Sequence, residues 1–230
     1  MANQLDLEEQ EQLDQLKHFW QQYGNFITAA LFAILAGLVG WNGYQYWQRT
    51  QATQASSMFD EMQRAVASKD AARVERSLTD MKEKFGSTTY AQQGALLAAK
   101  SLLEAGKVDA SKSALAWVAE KSPDEAYRAI AKLRLAGLLV DAKALDDALA
   151  QLAGTFPDSF APLVNDRRGD ILSLQGKKSL AKDEYLRAYQ AMDERSEYRP
   201  LVEFKLNALG VDPGTNKPNA VAAAASSVKP

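Results

Sequence analysis

The chain has 230 residues, with 27 Lys and Arg against 29 Asp and Glu, one His and no Cys. A net charge of -2 leaves no surplus of cations to neutralise phosphates, so nucleic acid is not an expected partner. Without cysteine there is no disulfide, thiolate nucleophile or cysteine metal site, and the single histidine, His18, supports neither a two-histidine metal site nor a Ser-His-Asp triad.

In chain order, residues 1–22 form an acidic, Gln-rich lead with Leu5, Leu13 and Leu16 at loosely helical spacing. It reads as a short surface helix, or as a docking peptide for a partner on its side of a membrane. Residues 23–47 (YGNFITAALFAILAGLVGWNGYQYW) follow, and between Lys17 and Arg49 only His18 is ionisable at all near neutrality. Hydrocarbon offers the backbone no hydrogen-bond partner, so an apolar run of this kind crosses a bilayer as a helix of about 20 residues. Trp20 and Tyr23 before it, and Trp41, Tyr44, Tyr46 and Trp47 after it, suit the two headgroup regions. A cleaved leader is not expected. Asp6, Glu8, Glu9, Glu11 and Asp14 oppose only Lys17 in the n-region, and the run ends in bulky aromatics rather than a small-x-small site. Retention as a signal anchor in the membrane lipid follows. Lys17 on one side and Arg49 with the more distant Arg64 on the other do not set its orientation. Within the span, Ala29, Ala33 and Gly37 recur at four-residue steps, with Ala36 and Gly40 beside them. Such rows let a second helix approach closely, although Ala and Gly are also common in membrane helices in general.

Residues 50–209 read as helices throughout, with no alternating β-branched run and no Asn-Gly hairpin signal. The pattern predicts helices over 50–67, 70–84, 89–105, 109–120, 125–140, 145–153, 161–174, 178–191 and 198–208. They are punctuated at Gly86, Gly106, Pro123, Pro157 and Gly176. The hairpins recur with a period near 34 residues, the spacing of tetratricopeptide units. Ala98, Ala99, Gly106, Leu115 and Pro123 mark a first unit. Ala136, Leu139, Ala148 and Leu152 mark a second, with Lys143 where a turn glycine is usual. Gly169, Leu172, Gly176, Ala181, Tyr185 and Ala188 mark a third. A degenerate unit around Met58–Phe85 precedes them, and the helix predicted over 198–208 caps the stack. The expected fold is therefore all-α: one N-terminal transmembrane helix, then a tetratricopeptide-like α-solenoid of helical hairpins. Residues 210–230, rich in Pro, Ala, Ser and Asn, are expected to be a disordered tail.

No phosphate loop, nucleophile elbow or HExxH sequence is present. The acidic pairs Asp124-Glu125, Asp146-Asp147, Asp183-Glu184 and Asp193-Glu194 fall at predicted helix starts or exposed faces, where acids suit the helix dipole or solvent. No enzyme activity, metal or cofactor is expected; a hydrolase with an unrecognised carboxylate pair is the rival from that class. Binding remains. The first helices of successive hairpins line the inner curve of such a solenoid. That register places Leu96, Lys100, Leu103, Ile130, Leu133, Val140, Leu163, Asp166, Asp170 and Leu174 in a groove suited to apolar peptide segments or a partner domain. The same groove is equally suited to being filled by the chain's own C-terminal helix or by a neighbouring copy.

The lead Glu9, Glu11, Gln12, Leu13, Asp14, Leu16, Lys17, Phe19 and Trp20, the position of the span, and the run from Gly169-Asp170 to Ala181 resemble the YfgM family, ancillary subunits of the bacterial Sec translocon. The resemblance implies a single-pass inner-membrane protein with its N-terminus in the cytoplasm and its repeat domain in the periplasm. It also implies three kinds of partner: the SecYEG translocon, a PpiD-like periplasmic chaperone, and secretory polypeptides passed between them. Regulation or scaffolding of an envelope-stress response, through a signalling partner rather than clients, is the alternative it carries.

Overall fold

The computed structural model describes residues 7–213, with side chains from Leu13 onward. Residues 1–6 of the acidic lead, and the tail from 214 on, lie outside the described residues. Among the described residues every regular element is helical: α1 (Leu7–Ala67), α2 (Ala71–Phe85), α3 (Thr89–Glu104), α4 (Val108–Lys121), α5 (Glu125–Asp141), α6 (Leu145–Gln151), α7 (Ala161–Leu174), α8 (Lys178–Ala191) and α9 (Arg199–Ala208), with a 3₁₀ turn at Asp158–Phe160. The chain divides into two compact units, Met1–Gln54 and Ala55–Pro230.

One boundary differs from the expected pattern. The span and the helix expected to begin at residue 50 are parts of α1, 61 residues long. No Gly or Pro lies between Trp47 and Ala55 to interrupt it. Thr50 and Thr53 do not act as caps either. Their hydroxyls donate back to the carbonyls of Tyr46 and Arg49, at 3.0 and 2.9 Å, within the helix they belong to.

In the first unit the apolar side chains of the span are exposed. Phe26 is 82% exposed and Val39 72%, and Leu31, Phe32, Ile34, Leu35 and Leu38 are also exposed. A core helix of a water-soluble protein would bury this stripe. Here a single helix is long and apolar enough to cross a membrane among the described residues, and its apolar window is almost wholly unburied. Polar groups in the span stay within the helix: Thr28 Oγ1 donates to the Gly24 carbonyl at 2.6 Å, and Asn42 Nδ2 to the Leu38 carbonyl at 2.9 Å. Both leave the backbone ladder satisfied where water is absent.

The second unit is a succession of αα-hairpins whose repeat shows most plainly in its turns. Left-handed residues end the first helix of each pair at Lys69, Gly106, Lys143, Gly176 and Gly210, so these turns lie 37, 37, 33 and 34 residues apart, and Gly154, in the connection from α6 to α7, is a further one outside this series. Each turn of the series closes its helix in one way. The amide after the left-handed residue bonds five residues back, as in Asp70 to Ala65, Lys107 to Leu102, Ala144 to Leu139, Lys177 to Leu172 and Val211 to Leu206, at 2.8–3.1 Å. This Schellman closure satisfies carbonyls that the helix end would orphan. Lys143 takes the turn at φ 60 without being glycine, so the second unit keeps the geometry that its sequence disguises. Helix starts are capped by Asp70 (accepting from the Arg73 amide, 3.0 Å), Thr88 (Ala91 amide, 3.3 Å) and Asp124 (Ala126 amide, 2.7 Å).

Packing passes along the stack in three overlapping clusters. The first joins Met62 and Ala65 of α1 to Val74, Leu78 and Met81 of α2 and on to Leu102, Leu115 and Leu135. The second joins Ala136, Ala148, Leu152, Val164 and Ile171 across α5, α6 and α7. The third joins Leu172, Ala181, Tyr185, Ala188, Val202 and Leu206 across α7, α8 and α9. No hairpin has a core of its own, so each buries its apolar face on the next.

Candidate functional site

Once the helices pack, the groove residues divide into three groups, with Leu163 and Leu174 outside all of them. Lys100 and Leu103 line one pocket of about 310 Å³ between α3 and α5, floored by α4. Its walls are mostly apolar, from Ala99, Leu103, Leu115 and Leu138, and its rim carries Lys100, Arg134 and Asp141. This volume is at the lower end of the range for small-ligand pockets. The α3–α4 and α4–α5 turns are short, so α3 and α5 run in the same direction and the pocket opens between two first helices. Ser111, on the floor, is buried and donates through Oγ to the Ala99 carbonyl at 2.7 Å, tying α4 to α3 beneath it. Gly137 lies inside α5, about one turn before its end, on the pocket wall, where an added Cβ would meet nothing within 4 Å.

A second group serves the core. Leu96 is buried in the first cluster, and only its carbonyl reaches the pocket side, where Arg134 Nη1 donates at 3.5 Å. Ile130 packs against that cluster, and Leu133 and Val140 against the second. Leu163 and Leu174 of α7 remain exposed, at 44% and 61%.

Asp166 and Asp170 make the third group and face α9. Asp166 is 4% exposed. Lys205 Nζ lies 2.7 and 2.9 Å from its two oxygens and 2.7 Å from Asp170 Oδ1. Tyr198 donates to Asp166 and Tyr185 to Asp170, each at 2.8 Å. Burial by itself would lower the Lys205 pKa, but the hydrogen bonds and charges of the two aspartates together hold it above the ordinary lysine value. Burial raises both tyrosines, Tyr185 strongly, and the carboxylates they donate to add to that rise. The result is a satisfied polar latch fixing α9 across α7 and α8. Lys205, Tyr185 and Tyr198 did not stand out as site residues, because their partners lie 15 to 39 positions away in sequence. Arg134, Gly137 and Asp141 were missed for a different reason. A glycine within a helical pattern signals weak helix, and only the neighbouring helix turns it into a wall.

In the first unit Ala29, Ala33, Ala36, Gly37 and Gly40 are all exposed, and Cβ atoms at Gly37 and Gly40 would meet nothing within 4 Å. Trp20 folds back over Gly24, its ring 3.3 Å from where a Cβ would be, at the start of the apolar run. Among the described residues no three His, Asp or Glu side chains gather as they would around a metal ion.

Comparison with known proteins agrees with this architecture. A family model described as a tetratricopeptide repeat-like domain matches residues 17–211. A protein of Neisseria gonorrhoeae named ancillary SecYEG translocon subunit is 29% identical over 204 residues, covering 88% of this chain and 98% of that protein. A protein of Haemophilus influenzae with the same name is 28% identical over 203 residues, with the same coverage of both chains. No solved structure matches.

Proposed function

Since the chain belongs to this tetratricopeptide repeat-like family, that of the ancillary translocon subunits, we propose that it is a single-pass inner-membrane protein that docks beside the SecYEG channel and binds polypeptides there. It acts by holding partners and catalyses nothing. The N-terminus lies in the cytoplasm and the repeat unit in the periplasm. There the repeats take secretory polypeptides as they leave the channel and pass them to a PpiD-like periplasmic chaperone.

The observation that carries this reading is the bare apolar helix. Leu31, Leu35 and Leu38 are at least half exposed, beside a row of Ala29, Ala33, Gly37 and Gly40 against which another membrane helix fits closely. Covalent tethering raises the concentration of a weak binder near the channel exit, so the repeats need no high intrinsic affinity. The test is co-purification of the full chain with the channel in mild detergent. Ala33→Leu combined with Gly37→Leu fills the small-residue row and is expected to remove the channel from the eluate. Retention of the channel at wild-type yield overturns the docking face.

A further inference from the structure

We propose that the pocket between α3 and α5 is a side-chain socket that takes one large aliphatic or aromatic residue of an acidic polypeptide segment. This rests on the reading of the repeat unit as a protein-binding module and names the chemistry of its target. Three observations converge. The pocket holds about 310 Å³, room for one large apolar side chain or two small ones, and its walls are leucine and alanine. Gly137 sits in the wall with open space where a side chain would be. Glycine is a poor mid-helix residue and no packing inside the chain requires it here, so its effect is to widen the socket and bring a bare stretch of helix within reach of an occupant.

The rim supplies the charge preference. Among the described residues Lys100 reaches only Glu104, at 3.9 Å with both side chains well exposed. Arg134 makes a 3.5 Å bond to a backbone carbonyl and no carboxylate pair among the described residues. Asp141 lies seven residues on from Arg134, about 10 Å along α5 at 1.5 Å per residue. Arg134 donates to the Leu96 carbonyl, one helical turn before Lys100, so the two cations lie near one level of the socket, past the middle of α3 and of α5, and Asp141 lies at the end of α5. An occupant whose apolar side chain fills the socket places an adjacent carboxylate between Lys100 and Arg134, where a guanidinium and an ammonium are both available to it.

The test uses the full chain in nanodiscs and two dye-labelled synthetic peptides, each with a central Phe-Leu, one flanked by aspartates and the other by lysines. Fluorescence anisotropy is expected to show the acidic peptide binding about tenfold more tightly. Gly137→Leu, which fills the socket with a better helix former, is expected to weaken that binding about tenfold or more without lowering the melting temperature. Lys100→Glu with Arg134→Glu is expected to invert the preference. Equal binding of the two peptides by the wild-type chain overturns the proposal, as does undiminished acidic-peptide binding by folded Gly137→Leu. Co-purification of the channel with wild type and Gly137→Leu separates the two readings. Loss of the channel from the wild-type eluate refutes association with the translocon and leaves the socket standing, whereas failure of the peptide assay alone refutes the socket.

Discussion

Two identical substitutions in two helices of the repeat unit are expected to move its stability in opposite directions. At Gly169 on α7, an added Cβ falls 2.5 Å from Cε1, 2.6 Å from Cδ1 and 3.0 Å from Cγ of Tyr185. Carbon atoms prefer about 3.5–4.0 Å, and this ring has little freedom to retreat. It is 4% exposed, its hydroxyl donates to Asp170 at 2.8 Å, and Lys205 Nζ lies 5.3 Å from its centroid. Overpacking of this kind costs about 1–3 kcal/mol, against a gain of about 0.8–1.0 kcal/mol from replacing glycine by alanine in a helix. The 2.5 Å contact with a ring that cannot retreat puts this case at the upper end of that cost, so Gly169→Ala is expected to destabilise the unit by about 2 kcal/mol, lowering its melting temperature by about 4–8 °C. Gly137→Ala collects the helix gain with no collision and is expected to raise the melting temperature by about 1–4 °C. Thermal unfolding of the full chain in nanodiscs, followed by circular dichroism, measures both. A neutral or stabilising Gly169→Ala would refute the close approach of α7 and α8, and a destabilising Gly137→Ala would refute the open wall of the pocket.

The latch on α9 yields two further expectations. Lys205→Met strands Asp166 in a buried site without its cation. Breaking such a pair costs about 3–5 kcal/mol when fully buried, and Lys205, 19% exposed, is expected to fall at or below the low end of that range. The readout is hydrogen exchange: α9 amides should exchange much faster while those of α3 and α4 stay protected, and unchanged α9 protection would remove the latch from the account. The second expectation concerns alkaline pH. Lys205, Tyr185 and Tyr198 all hold their protons more tightly when folded. Above the ordinary lysine and tyrosine range of about 10 the unfolded chain has lost protons that the folded chain retains, so stability falls as pH rises. Their contribution is complete below that range and is lost above it. Melting temperature should drop from about pH 10 upward, less steeply in Tyr185→Phe, and a flat profile to pH 12 would contradict the shifts.

Much of the architecture is legible in the linear chain because helices and membrane spans are local events. The apolar run with aromatics at both ends needs no tertiary partner to be recognised, since its environment is lipid. Turn glycines at 106 and 176 mark hairpins because only a residue tolerant of positive φ closes a helix in that way. Lys69 makes the same turn and is silent in sequence, whereas Lys143 is found only through the register of the repeat. The helix start expected at residue 50 is absent because a loss of apolar character resembles a helix end, whereas Thr50 and Thr53 bond within the helix and let it continue.

The division between chain and fold follows from distance. Periodicity, composition and punctuation determined an all-helical stack of hairpins behind one membrane helix, since each rests on neighbours within about a turn or on a repeating spacing. Only packing decided that Asp166 and Asp170 grip α9, that Leu96 belongs to the core, and that Lys100 and Leu103 line one pocket with Gly137. Those outcomes depend on which helices meet and at what rotation, and a rotation of about 100° per residue changes which face a side chain occupies.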